Sequence, residues 1–433
     1  FLNNFENINI NLIINGYDYG KSSGKIRDVV FGMLGPSDFR KNISSLMDDN
    51  DILKRILDYR LKDYQEYRNL LKILNNEYDE GILSKLIFNL PFKKYNTFQK
   101  HINIFHDHIK KIQKEQIQSN FFDDFSIGNI LFGGLYLNSK NFNKALSSYS
   151  IFADFKHNIY NITNGDNLYL YSLSELGSIS NEVQIIENTN SEKIEDIYLL
   201  KENLSKEKIL EIESLSYENK KILLNNLHET PELNSEITSV LNNSDIIIFG
   251  PGTQHSSLFP TYLTKGLSSI LLKTNSKKIL LKNIYFDNDL LKENGLSLIQ
   301  KFNYYMSNKK ETSGDIVDYI FLNKFDEENV NLENTKKYFP SEIFKDKKIK
   351  MLDFEGQKGK HLPQLVFEEI SKNTNLELKL KGKNSFFLVS IIVPCLNEEE
   401  KISKVLEDLI NLSLNNLDLE KEIIVVDGGS QDK

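Results

Sequence analysis

Short apolar runs followed at once by glycine-rich loops are the clearest pattern along the chain. Residues 8–15 are apolar and β-branched and lead into a loop at residues 16–24, and residues 245–249 lead into a second loop at residues 250–257. Apolar runs of this length between turn signals are typical of buried strands, and helical spacing resumes after each loop. The pattern therefore predicts strand–loop–helix units with parallel strands, in which the loops form a ligand site.

Helical and strand-like segments alternate through the first 380 residues. Apolar residues recur at helical spacing from residue 51 to about residue 114, which predicts a helical insertion of two to four helices. Residues 121–137 are predicted to form a buried, glycine-containing helix. Further strands are predicted at residues 158–162, 167–172, 183–186, 197–200, 278–284 and 318–322. This alternation predicts an α/β fold, Rossmann-like and doubly wound, with a mostly parallel sheet.

A second strand–helix–strand pattern occupies the end of the chain. An apolar run at residues 389–394 is followed by a helical pattern at about residues 398–412 and by a second run around residues 422–430. Two strands and one helix bury too little apolar surface to form a stable sheet alone. Residues 386–433 are therefore predicted to be the first part of a second domain, and residues 1–380 to be the main domain.

Composition narrows the class of protein. The 433 residues allow two or three domains, and 53 Lys and Arg against 61 Asp and Glu give a net charge of −8. This charge argues against binding of nucleic acid through broad neutralisation of phosphates. The single cysteine excludes an internal disulfide framework, and no apolar run approaches the roughly 20 residues of a membrane span. We expect a cytoplasmic protein without a secretory signal, whose sequence is cut at both ends.

The second glycine loop has the composition of an anion-binding site. Its candidate ligand residues are a Gly-Pro-Gly turn and three hydroxyl residues: Gly250, Pro251, Gly252, Thr253, Ser256 and Ser257. Glycine lets main-chain N–H groups approach an anion closely, and the positive end of the following helix favours negative charge. A phosphate or diphosphate is the expected ligand, and a plain strand-to-helix turn is the alternative.

The first glycine loop combines an acid with hydroxyl and basic side chains. In chain order they are Asp18, Lys21, Ser22, Ser23, Lys25 and Arg27. Such a set could hold a phosphate by charge, with the acid acting on a hydroxyl group or on a magnesium ion. An ordinary exposed turn is the alternative. The presence of two such loops on strands of one predicted sheet favours a site.

The glycine-containing helix and a group of histidines carry weaker signals. Gly128 and Asn129 are candidates for the ligand cleft, since an asparagine at a helix start can hydrogen-bond a ring or a carboxylate. Close helix packing is the alternative for the glycine. His101, His106 and His108 suggest a metal, but helical spacing places His106 off the face that the other two share, so we expect a solvated helix instead.

Taken in order, these motifs resemble the 2-phospho-L-lactate transferase family, which also contains the gluconeogenesis-factor proteins (CofD/YvcK-like). The resemblance covers about residues 1–375 and rests on residues 18–27, 126–129, 161–163, 181–182, 250–260 and 282–283. It implies a Rossmann-like domain that holds a nucleoside-diphosphate-linked small molecule. Transferase members move a phospholactyl-type group from a guanosine-diphosphate donor to a deazaflavin hydroxyl with Mg²⁺, whereas regulatory members only bind.

The resemblance also implies roles for single residues. The loop at residues 250–257, with Ser22 and Ser23, is expected to hold phosphates. Asp18 is expected to be the acid near the reacting centre and a candidate Mg²⁺ ligand. The family usually has a second acid where Tyr19 stands. Its first strand and opening glycine loop are expected ahead of the present sequence.

The C-terminal segment resembles the start of a family 2 glycosyltransferase of the GT-A type. Asn397, Glu398 and Asp427 would belong to its nucleotide site, with Asp427 contacting the base or ribose of a nucleotide sugar. Two main hypotheses follow: group transfer from a nucleoside-diphosphate-linked donor, or a regulatory module that binds a nucleotide sugar without turnover. A third places all function in the glycosyltransferase. No nucleic acid or membrane span is expected, and donor, acceptor and assembly into a homo-oligomer are left open.

Overall fold

A computed structural model describes most of the chain. It covers residues 8–77, 81–112, 120–187, 191–284, 288–290, 293, 295–310, 316–323, 348–356, 359–374, 387–395, 406–407 and 419–427. The internal contacts divide the chain into two compact units, one formed by Asn9–Val366 and the other by Phe1–Ile8 with Phe367–Lys433. Both glycine loops lie in the larger unit.

Helices and strands alternate along the described chain. Up to residue 187 they are β1 (Asn11–Ile14), α1 (Lys21–Val29), α2 (Ser37–Ser45), α3 (Ile52–Asp58), β2 (Arg60–Leu61), α4 (Tyr64–Leu74), α5 (Ile82–Phe88), α6 (Phe92–Lys111), β3 (Phe125–Ser126), α7 (Ile127–Ser139), α8 (Phe142–Phe152), β4 (Asn158–Asn161), β5 (Tyr169–Ser174), β6 (Ile179–Asn181) and α9 (Glu182–Glu187). Beyond it they are β7 (Ile194–Leu200), α10 (Lys206–Glu213), α11 (Tyr217–Leu227), α12 (Ser235–Asn242), β8 (Ile246–Phe249), α13 (Phe259–Tyr262), α14 (Leu267–Lys273), β9 (Lys277–Leu281), α15 (Gly295–Met306), β10 (Tyr319–Asn323), β11 (Ile349–Leu352), α16 (Pro363–Thr374), β12 (Phe387–Cys395) and β13 (Leu419–Asp427).

Parallel pairing characterises the strands that lead into the two loops. β1 pairs in parallel with β4, and a four-stranded parallel sheet has the order β11–β10–β9–β8. β5 pairs in antiparallel fashion with β6 and β7, and the short strands β2 and β3 form an antiparallel pair. The prediction of a mixed α/β fold with parallel strands is confirmed.

Two predicted elements differ from the structure. Residues 183–186, which we expected to be a strand, lie in helix α9, and the helix predicted at residues 121–137 begins only at Ile127, after β3. A run of four residues does not distinguish a short strand from a short helix, because it covers only about one helical turn and two repeats of a strand. The tertiary environment decides between them.

The region of the predicted insertion contains helices α3 to α6. Asp51 and Asp63 start α3 and α4 by accepting hydrogen bonds from the main-chain N–H groups of Leu53 and Glu66. Buried side chains of these helices belong to the same hydrophobic core as those of α1, α2 and α7. The region therefore packs against the helices that follow the first glycine loop.

The smaller unit contains the predicted C-terminal strands. β12 and β13 pair in parallel over nine residues, with Cys395 opposite Asp427. Within the part of the chain that the structure describes, no helix combines the length and the apolar character that a membrane crossing requires.

Candidate functional site

The two glycine loops meet at Asn15, the residue that follows β1. Its side-chain amide donates to the main-chain oxygen of Ser257 at 2.6 Å and to the hydroxyl oxygen of Thr261 at 2.7 Å. Its carbonyl oxygen accepts from the main-chain N–H of Tyr17 at 3.1 Å. Because Asn15 is buried, these bonds hold both loops at one edge, where β1 and β8 end.

The second loop presents a cluster of hydroxyl groups. The Ser256 hydroxyl donates to Thr253 Oγ1 at 2.7 Å, and Thr253 Oγ1 lies 2.8 Å from Ser257 Oγ. The chain continues as one π-helical turn, Gln254–Leu258, and then as α13. The main-chain N–H groups of Thr253 and Gln254 donate to no residue that the structure describes. Hydroxyl groups beside free N–H groups at the start of a helical segment suit an anion.

Gly252 gives the second loop its shape. Its φ of +155° lies in a region that side-chain-bearing residues rarely adopt. Its N–H donates to Asn283 Oδ1 at 3.0 Å, and Asn283 Nδ2 donates back to its carbonyl at 3.1 Å. The amide of Gln254 donates to the same carbonyl at 3.0 Å. The side chains of Asn283, outside the loop, and of Gln254, within it, thus preorganise the loop.

A buried network of charged groups supports the second loop. The main-chain N–H of His255 donates to Asp289 Oδ2 at 2.8 Å, and Lys301 Nζ pairs with Glu293 Oε1 at 2.5 Å. Burial lowers the pKa of Lys282 to about 8, against the opposing effect of the nearby carboxylates. The network stabilises the loop from within the protein, and no local pattern in the sequence predicts it.

Asp18 is fixed in the first loop with one carboxylate oxygen unpaired. Its Oδ1 accepts from the main-chain N–H of Gly20 at 3.0 Å, whereas Oδ2 is buried without a partner among the described residues. The Arg27 guanidinium donates to the Asp18 carbonyl at 3.2 Å. A side chain at Gly35 would meet that carbonyl oxygen at 2.2 Å, so glycine is required there. An unpaired buried oxygen is available for a ligand.

Glu182, the first residue of α9, brings a second acid to Asp18. Its Oε2 accepts from the main-chain N–H of Tyr19 at 3.1 Å. A Cβ atom on Gly20 would lie 3.6 Å from Asp18 Oδ1 and 4.0 Å from Glu182 Oε2, so the two carboxyl groups flank Gly20. Burial, with the charges of Asp18 and Asp38, raises the pKa of Glu182 to about 8.

We expect Glu182→Gln to make the protein more stable at alkaline pH. The pKa of Glu182 is about 8 in the folded chain against the ordinary value of 4.5, so the folded state binds its proton more tightly. The free energy of unfolding therefore falls as the pH rises from about 4.5 through about 8. Glutamine avoids this loss and keeps an oxygen for Tyr19. At pH 9 the variant should gain on the order of 2 kcal/mol.

The measurement is urea unfolding of both proteins from pH 5 to pH 9. Glu187→Gln, at the exposed end of the same helix, is the matched control and should follow the parent at every pH. Parallel stability curves for the parent and Glu182→Gln would show that the Glu182 carboxyl does not titrate as described.

Ser22, Ser23 and Asn129 meet in a buried hydrogen-bond network. The Asn129 amide donates to Ser22 Oγ at 2.8 Å and to Ser37 Oγ at 3.0 Å, and the Ser23 hydroxyl donates to Ser37 Oγ at 2.5 Å. Arg40 Nε donates to Asn129 Oδ1 at 3.2 Å. These polar groups connect α1, α2 and α7 beneath the first loop, and their binding roles stay predictions.

Gly128 and Arg27 also have structural partners. A Cβ atom on Gly128 would lie 2.3 Å from Arg40 Cδ, so close packing accounts for this glycine. The Arg27 guanidinium is buried, donates to the Leu168 carbonyl at 2.6 Å and lies 4.4 Å from the centre of the Tyr169 ring. Arg27 therefore stabilises the main chain of the first loop through hydrogen bonds to its carbonyl groups and to that of Leu168.

The predicted magnesium site offers few protein ligands. Among the described residues, no three His, Cys, Asp or Glu side chains are grouped so as to hold a metal ion. Mg²⁺ is usually bound by one or two carboxylates together with substrate phosphates. The unpaired oxygen of Asp18, with Glu182 beside it, is compatible with that mode of binding.

The histidines of α6 do not lie on a solvated face, contrary to our expectation. His101 is buried, and its Nδ1 lies 2.7 Å from the Thr97 carbonyl oxygen. His108 Nε2 lies 2.8 Å from the carbonyl oxygen of Val29. Their ring nitrogens are used within the fold. In the C-terminal segment, Asn397 and Glu398 lie outside the described residues, and Asp427 is the last residue of β13.

Three residues of this edge were not among the predicted site residues: Asn15, Asp38 and Glu182. Glu182 lies in one of the short segments that carry the family resemblance, and Asn15 directly follows a predicted strand. Both were therefore visible in the sequence, but nothing local indicated that they face the loops.

Fold and site together define an α/β protein whose candidate site lies where parallel strands end. A family model described as 2-phospho-L-lactate transferase CofD matches residues 2–355, and the chain belongs to this family. Residues 390–433 match the model of glycosyl transferase family 2. Both resemblances found in the sequence are confirmed.

Individual proteins agree with the family assignment. A putative gluconeogenesis factor from Thermotoga maritima is 25% identical over 118 residues, which are 25% of this chain and 38% of that protein, so the match spans well under half of the relative. Two crystal structures of a Bacillus halodurans protein, one described as a member of the UPF0052 family, have TM-scores of 0.54 and 0.55 and 16% identity. They cover 84% of this chain and 91% of their own, and this likeness concerns the fold alone.

Proposed function

We propose that the larger unit binds a nucleoside-diphosphate-linked donor and transfers a phospholactyl-type group to a hydroxyl acceptor. The observation that carries the proposal is the pair of hydrogen bonds from Asn15 to Ser257 and Thr261, because they bring the acidic loop and the hydroxyl loop to one edge. Membership of the CofD family supports transfer as the class of reaction.

In this proposal the diphosphate lies against the second loop. The hydroxyl groups of Thr253, Ser256 and Ser257 and the free N–H groups of Thr253 and Gln254 would donate to its oxygens. The acceptor hydroxyl attacks the phosphorus of the phospholactyl-type group, and its proton passes to Asp18. The bond between that phosphorus and the bridging oxygen of the diphosphate breaks, and a nucleoside monophosphate leaves with the bridging oxygen. Preorganised donors and positioning supply the rate enhancement.

We include Mg²⁺ in the proposal for an electrostatic reason. The carboxylates of Asp18 and Asp38, whose charges help to raise the pKa of Glu182, would repel an anionic ligand at this edge. A divalent cation held by phosphate oxygens at this edge would offset the repulsion. When bound, the ion would stabilise the charge that develops on the leaving phosphate.

Thr253→Val combined with Ser257→Ala is expected to weaken GDP binding by roughly a hundredfold or more, because each of the two lost hydrogen bonds to a charged group contributes about 1.5–3 kcal/mol. The measurement is isothermal titration of the full chain with GDP and with UDP-glucose, with and without Mg²⁺. Ser269→Ala, on the exposed side of α14, is the control and should bind as the parent does. A parent protein that binds neither nucleotide would contradict the proposal.

A regulatory module that binds a nucleotide sugar without turnover is the second candidate. The similarity to a putative gluconeogenesis factor favours it, as does Tyr19 at the position of the family's second acid. Release of GMP from a lactyl-type guanosine-diphosphate donor in the presence of a deazaflavin acceptor separates the two. Tight nucleotide binding without GMP release supports the regulatory module.

A further inference from the structure

Lys282, the residue that follows β9, places a buried cation against the second loop. It is 6% exposed, and among the described residues its ammonium group reaches one acceptor, Gln254 Oε1 at 3.5 Å. β9 pairs with β8 in the parallel sheet, so Lys282 lies at the same carboxyl edge as the loop that follows β8. A single contact at the outer limit of a hydrogen bond satisfies a buried ammonium group poorly. Such a costly group indicates a role beyond packing.

The contact with Lys282 gives the Gln254 carboxamide one orientation. An ammonium group donates hydrogen bonds and accepts none, so it selects the oxygen of the amide and leaves the Nε2 group to the other side. There Nε2 donates to the Gly252 carbonyl at 3.0 Å and lies 3.4 Å from Asn283 Oδ1. A reversed amide would direct its oxygen at these two oxygen atoms and its NH₂ group at the ammonium group. Lys282 therefore excludes the reversed orientation.

The Gly252 carbonyl and the Thr253 N–H belong to one peptide unit. Two amide groups hold this carbonyl, Gln254 Nε2 at 3.0 Å and Asn283 Nδ2 at 3.1 Å. The peptide bond is trans, so its C=O and N–H point in opposite directions. The Thr253 N–H is therefore directed away from the two amide groups. It is one of the N–H groups that the proposed function assigns to the diphosphate.

The side chains around this peptide unit, rather than its own sterics, set its orientation. Gly252, with φ of +155° and no Cβ atom, leaves the unit that follows it free to rotate. A reversed unit would present the Gly252 carbonyl oxygen where the Thr253 N–H now points. The partial negative charge of that oxygen would repel a phosphate.

We infer that Lys282 is a positioning residue for the diphosphate: through Gln254 it fixes the Gly252–Thr253 peptide so that the Thr253 N–H faces the ligand. The inference rests on the proposed function for the identity of that ligand. Burial lowers the pKa of Lys282 to about 8, so the group loses its charge just above neutral pH. A neutral amine accepts as well as donates hydrogen bonds, and it no longer selects the oxygen of Gln254.

The other titratable groups around Lys282 are two carboxyl groups, one ammonium group and two histidines. In chain order they are His255, Asp289, Glu293, Lys301 and His361. The carboxylates raise the pKa of Lys282 against the effect of burial. Burial lowers the pKa of both histidines from the ordinary value of 6.5. Neither histidine therefore changes its charge in the pH range where Lys282 does.

The test is isothermal titration of the full chain with GDP and with inorganic diphosphate. At pH 7, Lys282→Met and Gln254→Met should each bind both ligands about tenfold more weakly than the parent, the effect of one hydrogen bond to a charged group. The double variant should lose no more than Gln254→Met, because Lys282 acts through Gln254. Lys278→Met is the matched control. Lys278 is also buried in β9, but it donates to the carbonyls of Thr274 and Ser276, and this variant should bind as the parent does.

A pH series separates this role from a merely structural one. The ratio of the GDP affinities of the parent and Gln254→Met should shrink from about tenfold at pH 7 to less than about threefold at pH 9, as Lys282 loses its proton. The charge of Glu182 changes over the same range, but it affects both proteins alike and cancels in the ratio. Gln254→Met also carries the test if Lys282→Met does not fold.

Parental affinity in Gln254→Met or in a folded Lys282→Met, losses that add in the double variant, or a ratio that is constant from pH 7 to pH 9 would each overturn the inference. Any of these results in a chain that binds GDP removes this inference alone. A parent that binds inorganic diphosphate but neither GDP nor UDP-glucose, with the expected losses in the variants, removes the proposed function alone. A parent that binds none of the three ligands removes both.

Discussion

Asp18→Asn is expected to lower the rate of group transfer by about a hundredfold or more while GDP binding changes little. The variant keeps the Oδ1 atom that accepts from Gly20, so the loop should retain its shape. It replaces the unpaired Oδ2 by the amide nitrogen of asparagine. This NH₂ group can neither accept a proton nor hold a cation. Loss of a general base typically lowers a rate by about 10²–10⁴-fold.

The assay follows GMP release at saturating donor, together with a GDP titration of the same preparation. Asp123→Asn, at an exposed position of the chain, is the matched control and should react at the parental rate. The charge of Asp18 also contributes to the raised pKa of Glu182, so this pKa should fall in Asp18→Asn. A variant that turns over at the parental rate would exclude Asp18 as the acid at the reacting centre.

Gly134→Ala is expected to destabilise the protein by about 3 kcal/mol or more, at the upper end of what overpacking does. Helix α7 passes so close to α6 that a Cβ atom on Gly134 would lie 1.9 Å from the His101 carbonyl oxygen and 2.6 Å from its carbonyl carbon. Both are main-chain atoms of a helix, so neither can move aside without displacing α6. The first loop should lose its support as the helices separate.

Urea unfolding measures this effect. Asn138→Ala, an exposed position of the same helix, is the control and should slightly stabilise the protein, because alanine has the higher helix propensity. A Gly134→Ala protein with the parental unfolding midpoint would show that α6 and α7 do not approach as closely as described.

The parts of the fold that could be predicted are those with a local signature. The strands at residues 245–249 and 278–284 and the glycine loop after β8 were visible because apolar runs and glycine turns repeat over a few residues. Residues 183–186 were misread as a strand because four residues do not define a period. The consequence was functional, since α9 begins with Glu182.

The candidate site was predicted by composition rather than by contacts. Ser22, Ser23 and Asn129 were expected to face a ligand, and the structure gives them partners in the core: Asn129 donates to Ser22 and to Ser37, and Ser23 donates to Ser37. Buried polar groups must be paired, and a linear sequence does not show which of several nearby groups provides the partner. Arg27 illustrates the same limit, because its charge suggested a phosphate while its guanidinium binds main-chain carbonyls.

By itself, the sequence determined the family, the parallel α/β class and the two glycine loops. Each of these can be recognised from short segments whose residues are neighbours along the chain. Only the tertiary structure decided that Asn15 joins loops 242 residues apart and that Glu182 reaches Tyr19 across 163 residues. Such contacts depend on how strands and helices pack, and packing is a property of the folded chain as a whole.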